Sequence, residues 1–104
     1  MRRCMLDDLL AGAGRLADVP PALRRNLADR MIHEAHAAHH YMRRFGRPHP
    51  GWGNGSLMAR ALTETHSARP LCYASLAVMA DAVARFRAGN LARGHGLSLW
   101  SALC

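Results

Sequence analysis

Residues 33–44, HEAHAAHHYMRR, place four histidines and two arginines within twelve positions. Side chains of these types can bind a divalent metal, transfer protons in an active site, or present positive charge to an acidic partner. The spacing of the residues therefore has to distinguish these three kinds of site.

A metal site is disfavoured by the neighbours of these histidines. His36 and His40 have the i, i+4 spacing at which two imidazoles on a helix can chelate one divalent metal. However, HEAH is one residue shorter than the HExxH zinc motif, no carboxylate lies at the spacing of a His/Glu metal site, and the nearby arginines repel a cation. No acidic residue is spaced to form a catalytic pair with a histidine or cysteine. We therefore expect no metal, no cofactor and no enzymatic activity.

A basic stripe is the third interpretation. Placing residues at 100° intervals around a helix puts His36 and His40 on the face away from the apolar residues, among several arginines. The candidate nucleic-acid-binding residues are Arg25, Arg30, His36, His40, Arg43, Arg44 and Arg47. Such a stripe would contact phosphates or an acidic protein, and exposed histidines would add charge as the pH falls from about 7.5 to 6. The alternative to a binding surface is a solvated polar face that has no specific role.

The overall charge also favours an acidic partner. The chain of 104 residues has 14 basic side chains, all of them arginine, against 7 acidic ones, and its net charge is +7. Both halves of the chain are basic, so the charge does not come from a tail. A surplus of this size favours nucleic acid first and acidic proteins second. The absence of lysine is also typical of GC-rich codon usage, which weakens any argument from arginine alone.

The cysteines and the hydropathy pattern indicate a cytoplasmic protein. Cys4, Cys72 and Cys104 are odd in number and form no CxxC pair, so disulfides and a thiolate zinc site are disfavoured. Asp7 and Asp8 interrupt the apolar run that a secretion signal would need. No uncharged stretch approaches the roughly 20 residues of a membrane span, so no membrane partner is expected.

The elements that would position the stripe are helices. We predict a single all-α domain over residues 1–104, built on an antiparallel helical hairpin. A long helix over about 20–45 begins at Pro20-Pro21 and ends at Gly46, and a second helix over about 70–88 is stopped by Gly89-Asn90. A glycine-rich loop leads to a short helix over about 56–66, capped by Ser56. Residues 1–19 form an N-terminal arm, 20–89 the helical core and 90–104 a C-terminal tail, and short helical segments are expected at both termini.

Both long helices carry apolar residues with alternating spacings of three and four. This pattern is typical of helices that pack along a narrow seam. The predicted core and oligomer seam consists of Leu27, Met31, Ala38, Met42, Phe45, Leu76, Met79, Val83 and Phe86. Two short seams in one small chain leave apolar edges uncovered, so we expect a homo-oligomer.

One longer pattern resembles a known group of proteins. HPGWGNGSLMARAL, after a long Ala/Arg-rich helix that follows ADVPPALRRNLADR, is similar to small alphaproteobacterial proteins of about this length. They are the products of the first reading frame of gene transfer agent clusters, beside the large terminase. The resemblance covers nearly the whole chain, although its signature is a loop motif without known chemistry.

This resemblance implies a small terminase subunit. Such a subunit is a non-enzymatic DNA-packaging factor that oligomerises, engages DNA and hands it to the large terminase subunit. Many small terminases carry an N-terminal helix-turn-helix, and residues 1–19 are too short for one, so the expected DNA contact is non-specific. Two alternatives remain open: a small helical DNA-binding regulator, and a protein–protein adaptor with a basic face.

Overall fold

Four helices and no strand make up the part of the chain described by the computed structural model, residues 1–63 and 71–95. The helices are α1 (Leu6–Leu16), α2 (Pro21–Phe45), α3 (Leu57–Ala61) and α4 (Tyr73–His95). The predicted all-α class is confirmed. No described helix combines the length and hydropathy of a membrane span.

Local sequence signals set the ends of α2 and α3. Pro21 occupies the first turn of α2, where a missing N–H leaves no hydrogen bond unmade. Gly46 ends α2 in the left-handed conformation, with φ of 71°, and donates its N–H to the carbonyl of Met42. The Ser56 hydroxyl accepts a hydrogen bond from the N–H of Ala59 at 3.1 Å, which caps α3.

An antiparallel hairpin contains α2, and its other arm is α1. At one end the Arg24 side chain donates to the carbonyl of Leu16 over 3.0 Å, and at the other the Met1 amino group contacts the His36 ring. The residues predicted as an N-terminal arm are therefore part of the helical packing. Ala13 and Leu16 of α1 are buried in the core.

The second long helix, α4, also runs antiparallel to α1. Gly12 lies so close to Met79 that an added Cβ would come within 2.6 Å of its sulfur, and Met1, before α1, contacts the His36 ring, which packs 5.2 Å from the ring of Phe86 in α4. Since α1 opposes both α2 and α4, these two long helices run in the same direction. The predicted antiparallel pairing of α2 with the second helix thus becomes a three-helix arrangement, in which α1 is the antiparallel partner of both.

Most of the predicted seam lies in this core. Leu27, Met31, Ala38, Met79 and Val83 are buried, and Met42, Leu76 and Phe86 are half-buried. Phe45 is the exception, with 53% of its surface exposed. The last buried residue of α2 is Ala38, because the other helices do not cover the two turns that follow it.

Two features of α4 differ from the prediction. Ser75 is fully buried where Leu76 was expected, because α4 packs against α1 as well as α2 and so buries a wider face than a two-helix seam. The helix also continues past Gly89-Asn90 to His95. Gly89 lines a groove with Ile32 and His33 of α2, and the helix passes through it despite the cost of about 1 kcal/mol for a glycine within a helix.

Several predicted features lie partly or wholly outside the described residues. The expected short helix over 56–66 is helical from Leu57 to Ala61, and its last residues fall outside the description. Most of the predicted tail, with Cys104, also lies outside it. Of the cysteines within the described part, Cys4 and Cys72 are free thiols.

Candidate nucleic-acid interface

Three arginines project from the end of α2 and from the turn that follows it. Arg43 and Arg44 occupy the last turn of the helix, Arg47 follows Gly46, and all three side chains are exposed. Among residues 1–63 and 71–95, no carboxylate forms an ion pair with any of them. We call Arg43, Arg44 and Arg47 the basic end of α2.

The two other predicted arginines lie apart from the basic end. Arg25 is exposed, but it precedes Arg43 by about 27 Å along the helix, at 1.5 Å per residue. The Nε atom of Arg30 lies 3.9 Å from Oε1 of Glu34, so part of its charge is compensated within the chain. The structure therefore does not gather all of the predicted arginines into one site.

His36 is not the exposed basic residue that its helical position suggested. Its ring packs edge-on against Phe86 of α4, with the centroids 5.2 Å apart, and its Nδ1 contacts the Met1 amino group. Burial, together with the positive charge of the Met1 amino group and the neighbouring histidines, lowers the pKa of His36 to about 4. The ring is therefore neutral between pH 7.5 and 6, and the expected gain of charge at this position does not occur.

His40 is exposed and lies one turn beyond His36. The two Nε2 atoms are 3.1 Å apart, which is a hydrogen bond between one protonated and one unprotonated nitrogen. Within the described part of the chain, no three His, Cys, Asp or Glu side chains converge as metal ligands would. His36 instead forms part of a packed contact between α2 and α4, and His40 lies at the outer edge of that contact.

Four rings follow one another from the last turns of α2 into the loop. Tyr41 lies 4.6 Å from Phe45 and 5.0 Å from His49, and His49 stacks on Trp52 at 4.7 Å with the ring planes 11° apart. We call Tyr41, Phe45, His49 and Trp52 the aromatic row. Trp52 lies against His49 within its own loop.

Hydrogen bonds fix the loop that carries half of this row. His49 exchanges two backbone hydrogen bonds with Gly53, of 2.8 and 3.1 Å, and its Nδ1 accepts from the N–H groups of Gly51 and Trp52. Gly55, with φ of 97°, sits against α2 so closely that an added Cβ would lie 2.6 Å from the Cα of His39. The GWGNG glycines thus serve close packing and turning, and His49 and Trp52 are held in place before any ligand arrives.

The basic end and the aromatic row meet at Phe45. The guanidinium carbon of Arg44 lies 5.6 Å from the centroid of the Phe45 ring, within the range of a cation–π contact. More than half of the Phe45 surface remains open to solvent. An exposed aromatic ring among arginines that pair with no carboxylate of the described residues is suited to a ligand that has both flat rings and negative charge.

The apolar spacing of α2 placed Phe45 in the predicted seam, and it predicted no role for Tyr41 or His49. The available signal was the clustering of Tyr41, Phe45, His49 and Trp52 around the basic end within twelve positions. The helical period alone could not reveal it, because Phe45 continues the apolar spacing of the seam and only the packing of the other helices shows that it is uncovered.

Comparisons with known proteins identify a family for nearly the whole chain. A family described as a domain of unknown function (DUF7742) matches residues 2–89, which include all four rings and the basic end. No curated protein and no solved structure matches the chain.

Proposed function

The chain belongs to the DUF7742 family, a domain of unknown function, and we propose that it is a small terminase-like DNA-packaging factor. In this proposal it is a non-enzymatic homo-oligomer in the cytoplasm that engages DNA without sequence specificity and recruits or regulates a large terminase subunit. The observation that carries the proposal is the basic end of α2, where three exposed arginines have no carboxylate partner in the described chain.

Phosphate contact is the chemistry that this arrangement serves best. Arginines without internal ion pairs keep their charge available, so each phosphate they neutralise releases counterions and strengthens binding. Arginine also presents a planar fork of donors that matches phosphate oxygens. Arg43, Arg44 and Arg47 lie at a helix end and in the turn after it, where they can contact the phosphates of any sequence, and the expected binding is therefore tolerant of sequence.

Oligomerisation would strengthen a contact that is weak in one subunit. Several copies of the basic end presented together raise the effective concentration of arginine along one DNA molecule. Exposed leucines on α1 support an oligomer, since Leu6 and Leu10 lie one turn apart on the same face. The large terminase subunit enters the proposal through the resemblance of the HPGWGNGSLMARAL segment, and co-purification of the two proteins tests that part.

Fluorescence anisotropy with a labelled random duplex at 50 and 200 mM salt tests the DNA contact. We expect wild-type affinity to fall steeply with salt, and R43E together with R44E to abolish binding. The single variants R44E and R25E are matched charge reversals on the same helix, and R44E should weaken binding more than R25E. Absence of wild-type binding at low salt, or unchanged binding by the double variant, would reject the nucleic-acid function in favour of an adaptor with a basic face.

A further inference from the structure

The exposed ring of Phe45 is more than a duplex-binding surface requires. Arginines alone suffice to contact the phosphates of double-stranded DNA, whose bases are stacked on one another and offer their faces to nothing else. An unpaired base has an open face that stacks readily on an aromatic side chain. An open ring beside arginines that have no carboxylate partner among the described residues is therefore suited to single strands.

The geometry around Phe45 allows a base and its phosphate to be bound together. Arg44 already places a flat cation 5.6 Å from the ring centroid, and Arg43 and Arg47 flank Phe45 in sequence. A base stacked on the open part of the ring would leave its own phosphates within reach of these side chains. The shallow depression lined by Arg2, His39, Met42, Arg43 and Asn54 continues the basic surface toward the loop.

The platform is held in position before binding. Tyr41 packs against Phe45 from one turn earlier, Tyr41 contacts His49, and His49 is fixed by backbone hydrogen bonds to Gly53. A ring that is already ordered loses little conformational entropy when a base stacks on it. The aromatic row thus has the properties of a preformed stacking site.

We propose that the end of α2 binds unpaired DNA, with Phe45 as the ring on which a base stacks and with Arg44 and Arg47 as phosphate contacts. This inference rests on the proposed DNA-binding function and names its substrate class as a single strand or a locally opened end. A duplex would engage the same arginines without using the Phe45 ring.

Competing nucleic acids of equal phosphate number provide the test. Anisotropy is measured with labelled oligothymidine and with a duplex of matched charge, on the wild-type protein and on F45A and F45W. We expect oligothymidine to bind the wild type more tightly, and F45A to weaken that binding by at least about fivefold while changing duplex affinity less than twofold. F45W should restore binding, because indole also offers a stacking face.

L62A is the matched control, since Leu62 is another exposed apolar residue, at the end of α3. It should leave both affinities unchanged, and circular dichroism should show the same helix content for all variants. The stacking site would be overturned if the wild type preferred duplex, or if F45A lost affinity for both ligands equally or for neither. Duplex binding through the arginines would remain compatible with these results. Absence of binding to either DNA at low salt would instead reject the proposed function itself.

Poly-glutamate added as a competitor separates DNA from an acidic protein. It carries negative charge without rings, so it should displace oligothymidine only at a large excess of charge. Displacement at equal charge, together with an F45A variant that binds poly-glutamate normally, would show that the surface recognises acidic protein and would overturn the inference.

Discussion

The guanidinium of Arg60 lies 2.7 Å from the carboxylate of Glu34, so an ion pair fastens α3 to the middle of α2. Only 4% of the Arg60 side chain is exposed, against 20% for Glu34. Arg60 also donates a hydrogen bond to the Thr63 hydroxyl at 3.1 Å. Because α3 follows directly after the GWGNG loop, this ion pair also fixes the loop against α2.

Removal of Arg60 should destabilise the fold strongly. We expect R60A to lower the free energy of unfolding by about 3 kcal/mol, because Glu34 would keep a largely buried charge without its nearest partner. Arg30 binds the same carboxylate from an exposed position at 3.9 Å, which makes R30A the matched control. It should cost less than about 1 kcal/mol. Urea unfolding followed by circular dichroism measures both, and equal losses would contradict the dominant role of the buried pair.

Asp8 joins the first turns of two helices. One carboxylate oxygen accepts from the N–H of Met5 at 2.7 Å, at the start of α1, and the other accepts from the N–H of Met58 at 2.9 Å, at the start of α3. D8A would leave both N–H groups without this acceptor at the two helix starts, and we expect it to cost about 2 kcal/mol. D7A removes an exposed carboxylate from the same turn and should cost less than about 0.5 kcal/mol. Thermal unfolding of the pair tests this, and a D7A loss as large as that of D8A would refute the shared cap.

These contacts explain which parts of the fold could be predicted from sequence. The ends of α2 depend on Pro21 and Gly46, and the cap of α3 depends on Ser56, so each is encoded within a few residues. The arrangement of the helices depends instead on pairs such as Asp8 with Met58, which are far apart in the chain and follow no helical period. A two-helix scheme therefore missed the role of α1 in the core.

The candidate site was predictable to a similar extent. The charge of Arg43, Arg44 and Arg47 was evident from sequence, because residues at the end of a helix beside a glycine turn are generally exposed. The neutrality of His36 was not evident, since it depends on Phe86 from another helix and on the Met1 amino group. The exposure of Phe45 likewise could not be predicted, because it depends on where α2 extends beyond the helices that pack against it.

The exposed leucines of α1 should mediate self-association. Leu6 is 67% exposed and Leu10 37%, and Met5 extends the same apolar surface at the start of the helix. We expect L6Q together with L10Q to shift the protein from an oligomer to a monomer, because the substitutions replace apolar contact with amide groups. L23Q is a control at an exposed leucine on α2 and should leave the mass unchanged. Light scattering measures all three proteins, and a wild type that is monomeric at micromolar concentration would refute the prediction.

The His36 contact should make the fold sensitive to acid. Its pKa of about 4 in the folded chain lies below the usual value near 6.5, so the unfolded chain binds this proton more readily. Stability from the neutral ring is therefore fully present above about pH 6.5 and is lost as the pH falls toward 4. The ring is partly exposed, and we expect a loss of about 1 to 2 kcal/mol, less than the full shift would give.

Comparison with a variant isolates this contribution from the other groups nearby. The Met1 amino group, His33, His39 and His40 surround His36 and are present in both proteins. H36Q keeps a neutral polar side chain, so its free energy of unfolding should change less between pH 6.5 and 4 than that of the wild type. His33 is exposed, so the H33Q variant should retain most of the wild-type change in unfolding free energy with pH. Urea unfolding at four pH values across this range measures the slopes, and parallel curves for H36Q and the wild type would show that the His36 ring does not set the response to acid.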